Sequence, residues 1–140
     1  MCIRDSFSNC THISVHCNLS EETHHLVNAE RIASMPHIGK DGARCGSHII
    51  NCARGGIVDE DAVVAALKSR VLTSAALDVF EEEPVDPDHP LLQMEHFHGT
   101  PHIGASTVEA QARVGMDIAT NVHAVLSGRS CKFTVKAEHV

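Results

Sequence analysis

A chain of 140 residues, 43% hydrophobic and 21% charged, is long enough to bury a core and too apolar to remain disordered. Its formal net charge of −7, with Lys and Arg scattered along it, argues against a nucleic-acid partner or an anionic membrane surface. No apolar run reaches the length of a membrane span, and no secretory apolar segment follows Met1.

The six cysteines (Cys2, Cys10, Cys17, Cys45, Cys52 and Cys131) form no Cys-x-x-Cys and no close pair, which reads as reduced thiols in a cytoplasmic setting. None of the twelve histidines stands at metal-ligand spacing, and no metal is expected.

Met1 to Ser6 shows no periodicity, and residues 1–10 stand outside any predicted element. Alternation at His12-Ile13-Ser14-Val15-His16 predicts a first strand. A short helix fits Asn28 to Met35, with Asn28 as its N-cap and Pro36 as its stop. The Gly-rich stretch from Ile38 to Ser47 reads as a loop. His48 to Cys52 reads as a second strand, ended by Gly55-Gly56.

Asp59 caps the next predicted helix, with Glu60 and Asp61 in its first turn and Lys68 and Arg70 in its last, the favourable sense for the helix dipole. Ala75 to Val79 is a third strand, an acidic Pro-rich loop runs from Glu81 to Pro90, and Phe97 to Thr100 is a weak fourth strand. Ser106-x-x-Glu109 reads as a capping box opening a long helix that ends at Ser127-Gly128. Two apolar stripes on that helix predict burial on more than one side. Lys132-Phe133-Thr134-Val135 could begin a further strand.

Strands alternating with helices at this spacing predict an α/β fold with a parallel, doubly wound sheet. Ligands of such sheets bind beyond the carboxyl ends of the strands. Applied to the strand order, that rule gathers His16 and Cys17, then Arg54 beside its Gly pair, then Asp78 with Glu83 beyond it, then His102 followed by Gly104. Taken singly, Arg54 is a loop cation, Glu83 one of three consecutive glutamates and His102 a turn residue. Asp78 closes an apolar strand, where an unpaired carboxylate is costly, so it needs a donor. The shared location makes these residues a candidate site.

Three stretches carry a resemblance: Asn51-Cys52-Ala53-Arg54-Gly55-Gly56-Ile57-Val58-Asp59-Glu60, Ala76-Leu77-Asp78-Val79-Phe80-Glu81-Glu82-Glu83-Pro84, and Thr100-Pro101-His102-Ile103-Gly104-Ala105-Ser106-Thr107. In this order they resemble the D-2-hydroxyacid dehydrogenase family, from about Ile13 to Gly128. The resemblance implies an NAD-dependent oxidoreductase acting on the CH–OH group of a small 2-hydroxyacid. It further implies Arg54, Glu83 and His102 as the catalytic set. Arg54 would hold the substrate carboxylate, His102 would exchange a proton with the C2 oxygen, and Glu83 would keep His102 protonated for carbonyl reduction. NAD would be lined by Cys17, Cys52, Ala53, Arg54, Asp78, His102, Ile103, Gly104 and Ala105, with Asp78 accepting from the carboxamide.

The substrate implied first is 3-phosphoglycerate, at the entry to serine synthesis. The alternatives are glyoxylate or hydroxypyruvate reduction, and a non-enzymatic, dinucleotide-sensing corepressor scaffold. The family also implies a homodimer or larger homo-oligomer.

The chain lacks the Gly-x-Gly-x-x-Gly turn of a complete dinucleotide domain, and Gly39, Gly42 and Gly46 are spaced wrongly for one. The expected organisation is therefore a Rossmann-like second half of an NAD-binding domain at 11–128, an unassigned terminus at 1–10 and the start of a following segment at 129–140. Its first strand, Ile13 to Val15, should present an unpaired edge.

Overall fold

The structure, a computed structural model, describes residues 3–131 and 133–134. It divides into two units, Met1–His102 and Ile103–Val140.

The first unit is built on four parallel strands, β1 (His12–Val15), β2 (His48–Asn51), β3 (Ser74–Leu77) and β4 (Phe97–Gly99), which lie in the sheet in chain order. Each crossover carries a helical element: α2 (Ala29–Ala33), α3 (Glu60–Lys68) and a 3₁₀ turn at Pro90–Gln93. This is one winding of the predicted parallel α/β sheet.

Register puts Ile13, Ile49, Ala75 and Phe97 in one row, and Val15, Asn51, Leu77 and Gly99 in the next. The side chains of these rows face the helices. Val15, Ile49, Ala75, Leu77 and Phe97 pack there with Ile32 of α2, Val63, Ala66 and Leu67 of α3, and Leu72 and Leu91 from the connections. Each fully buried aliphatic contributes about 1.5–3 kcal/mol. Ser14, Ile50 and His98, on the opposite face, are exposed.

Local chemistry sets the helix ends. Asn28 is extended and its side chain accepts from the Arg31 N–H at 3.1 Å. Asp59 does the same for the Ala62 N–H at 2.9 Å, opening α3 where its acidic first turn predicts. At the other end the helix stops at Ser69. Arg70 lies beyond it with φ of 60°, so of the two expected basic residues only Lys68 sits in the last turn.

Three expectations are corrected. A helix, α1 (Ile3–Asn9), forms where no periodicity was read; seven residues with one buried apolar anchor, Phe7, are too few to show a pattern. In the second unit, α4 (Val108–Leu126) is capped by Thr107, not Ser106: Thr107 is extended and its hydroxyl accepts from the Ala110 N–H at 3.1 Å. No residue of α4 is buried, against the expected burial on two sides, because its unit contains no second described element to cover it. Gly128, at φ of 74°, ends it as the sequence predicts. The further strand proposed for Lys132 to Val135 has both ends outside the described residues. Among those residues, no helix is long and apolar enough to cross a membrane.

Candidate active site

The carboxyl ends of β1 to β4 form one edge, because Val15, Asn51 and Leu77 are in register and the Thr100 N–H donates to the Leu77 carbonyl at 3.0 Å. Residues leaving these ends therefore come off the sheet side by side. Cys17 is half-buried beyond β1. Beyond β2, Cys52 is exposed, Ala53 half-buried and Arg54 exposed.

The turn carrying Arg54 is shaped by Asn51, only 1% exposed. Its side-chain oxygen accepts from the Ala53 N–H at 3.0 Å while its amide donates to the Arg54 carbonyl at 3.0 Å. One arm of the Arg54 guanidinium donates to the Ala53 carbonyl at 2.7 Å. The four ion pairs among the described residues do not include Arg54, so the rest of its donor fork is available to a carboxylate. Gly55 is required by the same turn: a Cβ there would sit 1.7 Å from the Phe80 carbonyl oxygen.

Asp78 follows β3 and is 6% exposed. The donor that its burial demands is Thr100, whose hydroxyl reaches the carboxylate at 2.5 Å from the end of β4. The neighbouring segment closes on itself through Glu83, whose Oε1 accepts from the Phe80 N–H at 3.0 Å. Its Oε2 lies 2.9 Å from His102 Nδ1. A carboxylate can only accept, so Nδ1 carries the hydrogen and Nε2 is left as the working nitrogen of the ring. His102 itself has φ of 54° and its N–H donates to the Thr100 carbonyl at 3.0 Å, a tight turn that presents the imidazole to Glu83.

The His102 pairing, and then the Phe80 N–H, hold the Glu83 carboxyl below the usual carboxylate range, outweighing its partial burial and the repulsion from Asp78. A cavity of about 260 Å³ opens beside the pair, walled by the apolar side chains of Phe80, Pro84, Val85 and Pro101. Ile103, Gly104 and Ala105 open the second unit, where the Ser106 N–H donates to the Ile103 carbonyl at 2.9 Å.

Two contributors were not singled out from sequence. Asn51 ends an apolar strand as Asp78 does, and the same argument from buried polarity finds it. Thr100 closes the fourth strand within a quoted motif, yet nothing in the one-dimensional pattern pairs it with Asp78.

A parallel sheet whose carboxyl edge carries an arginine, a buried carboxylate and a histidine–glutamate pair belongs with the dinucleotide-binding α/β folds. Residues 2–104 match the D-isomer specific 2-hydroxyacid dehydrogenase, NAD binding domain, and the chain belongs to that family. NAD is the cofactor of the family.

A glyoxylate reductase of Thermofilum pendens is 42% identical over 116 residues, which are 83% of this chain and 32% of that protein. A D-3-phosphoglycerate dehydrogenase of Methanocaldococcus jannaschii is 41% identical over 128 residues, 91% of this chain and 23% of that protein. In three dimensions the chain resembles a D-isomer specific 2-hydroxyacid dehydrogenase from Xanthobacter autotrophicus, solved with NADPH and MES. The TM-score is 0.75 and the identity 32%, with 96% of this chain and 51% of that one covered. The chain thus spans about a third or less of the curated relatives named here.

Proposed function

We propose that this chain carries the catalytic face and the nicotinamide end of an NAD-dependent D-2-hydroxyacid dehydrogenase whose substrate is 3-phosphoglycerate. The observation that carries the reading is the His102–Glu83 pair at 2.9 Å, on the sheet edge that also bears Arg54 and Asp78.

In the oxidative direction Arg54 grips the substrate carboxylate through its remaining N–H groups. Neutral His102 takes the C2 hydroxyl proton on Nε2. Glu83 accepts from Nδ1–H throughout, fixing the tautomer and stabilising the imidazolium that forms. In reduction the same imidazolium returns the proton to the C2 oxygen. NAD, when bound, supplies the hydride acceptor for the C2 hydrogen.

The donor set fits the nicotinamide end of that cofactor. Asp78 is an acceptor for a carboxamide at a buried strand end, while Cys17, Cys52 and Ala53 are the remaining contacts we assign within the first unit. The Gly-x-Gly-x-x-Gly turn for the pyrophosphate is not among these 140 residues. The apolar side chains of Phe80, Pro84, Val85 and Pro101 line the cavity beside the pair, while His102 and Glu83 remain open to solvent in this chain.

The Cys-Ala-Arg-Gly-Gly-Ile-Val-Asp-Glu and Gly-Ala-Ser-Thr-x-Glu-Ala-Gln stretches support phosphoglycerate as the substrate. With it the proposal takes in a role in serine biosynthesis, a cytoplasmic setting and, by analogy with the family, a homodimer or larger homo-oligomer. The similarity to a glyoxylate reductase supports a second reading, reduction of glyoxylate or hydroxypyruvate.

The test is steady-state turnover by the full-length product of the gene encoding this chain. We expect kcat/KM to be higher for 3-phosphoglycerate with NAD than for glyoxylate or hydroxypyruvate with NADH; the reverse order selects the second reading. His102→Asn should lower kcat by about 10²–10⁴-fold, and Arg54→Gln should raise KM for the hydroxyacid as well. Full activity in His102→Asn would remove the acid/base assignment altogether.

A further inference from the structure

Glu83 is presented to His102 by a single turn, so whatever fixes residues 80–83 fixes the pair. Two consecutive amides of that turn are each held by a carboxylate. The Phe80 N–H goes to Glu83 itself at 3.0 Å, and the Glu81 N–H goes to Glu60 Oε1 at 2.7 Å. Glu60 stands in the first turn of α3, an element anchored in the core through Val63, Ala66 and Leu67. Its second oxygen, Oε2, lies 3.2 Å from His89 Nε2.

His89 is itself tied down. Its Nδ1 accepts from the Leu91 N–H at 3.3 Å, capping the 3₁₀ turn, which leaves the hydrogen on Nε2 to donate to Glu60. The ring of Phe80 meets His89 edge-on at 6.2 Å. One carboxylate therefore joins both ends of the loop that carries Glu83, residue 81 on one side and residue 89 on the other, to a rigid helix.

From this geometry we infer that Glu60 is a positioning residue for the His102–Glu83 pair, acting through the Glu81 amide and His89. The inference rests on the dehydrogenase reading for its catalytic meaning and on the structure alone for the brace itself. The groups around Glu60 are Asp61 on its own helix, Glu81 and His89 on the loop, and His25, Asp59, Glu82 and Asp86 lining the same cavity of about 260 Å³. Glu81 is held a second time, by His25 Nε2 at 2.9 Å from its carboxylate. Burial raises the Glu60 carboxyl above its ordinary value against the lowering effect of the Glu81 N–H and His89. A carboxylate kept there despite that cost is consistent with a bracing task.

The experiment follows the titration of the Glu83 carboxyl carbon by NMR in this chain, which needs no substrate and no cofactor. Removing the negative charge of Glu60 can, by electrostatics alone, only lower the Glu83 midpoint. Loss of positioning raises it, because Glu83 then loses the His102 and Phe80 contacts that depress it.

We expect Glu60→Ala to shift the Glu83 midpoint upward. Glu60→Gln, which keeps an oxygen for the Glu81 N–H, should leave it depressed. An unchanged or lowered midpoint in folded Glu60→Ala overturns the inference. Should Glu60→Ala fail to fold, Glu60→Ser decides. Its hydroxyl suits a first helical turn but is too short to replace the carboxylate at the Glu81 N–H and His89, and the charge lost is the same. An unchanged or lowered Glu83 midpoint there overturns the inference equally. A brace confirmed in this way alongside an inactive full-length product would refute the dehydrogenase reading and leave the positioning intact.

Discussion

Glu83 and Glu60 hold adjacent amides of one turn yet titrate in opposite directions. The folded-state value of Glu83 is depressed, chiefly by His102. Its contribution to stability is therefore complete above the ordinary carboxylate range and is lost as the pH falls through that depressed value. Glu60 is raised by burial, so its contribution runs the other way and diminishes as the pH climbs through its raised value. The Glu83 side chain is 38% exposed, and screening limits the pair to under about 1 kcal/mol. We predict that acidification below the ordinary carboxylate range lowers the urea midpoint of the wild-type chain more than that of Glu83→Gln. Parallel urea curves for the two proteins down a pH series check this, and identical acid sensitivity would show that the pair contributes nothing to the fold.

At the scale of elements, the cap of α4 separates sequence pattern from structure. Ser106 satisfies the capping-box spacing with Glu109, but the hydroxyl that accepts an amide belongs to Thr107. Thr107→Ala should cost about 1 kcal/mol of helix stability, whereas Ser106→Ala should be nearly neutral. Circular dichroism under thermal melting ranks the two, and equal losses would restore the Ser106 assignment.

The same contrast runs through the chain. The four strands, the caps at Asn28 and Asp59 and the Gly128 stop are local, and residue order alone discloses them. The placement of Arg54, Asp78, Glu83 and His102 near one edge also follows from strand order, since a parallel sheet puts every carboxyl end on the same side. Contacts between distant residues do not follow. Nothing around Gly55 reveals that the Phe80 carbonyl forbids a Cβ, nor does the glutamate run reveal that Glu60 takes the Glu81 amide. The exposure of α4 escapes for a related reason: an amphipathic pattern specifies a face to be covered but not what covers it.

For the whole molecule, the open features of the first unit lie together at β1. Among the described residues β1 pairs only with β2, and the His48 N–H donates to the Thr11 carbonyl at 2.7 Å, so Thr11 and the alternate positions Ile13 and Val15 turn their backbone groups inward. Ser14 then directs its N–H and carbonyl outward along the edge, while its side chain lies on the exposed face, in register with the exposed Ile50. A parallel edge with unpaired backbone groups beside an uncovered apolar residue is a template for a second strand. The 140-residue chain should therefore self-associate, its sedimentation coefficient rising over a concentration series. Ser14→Lys should suppress that rise, because a lysine at this point charges the exposed face and must be desolvated for another strand to dock. A single concentration-independent species for the wild-type chain would show that the β1 edge is blocked. Association that persists unchanged in Ser14→Lys would move the contact away from this edge.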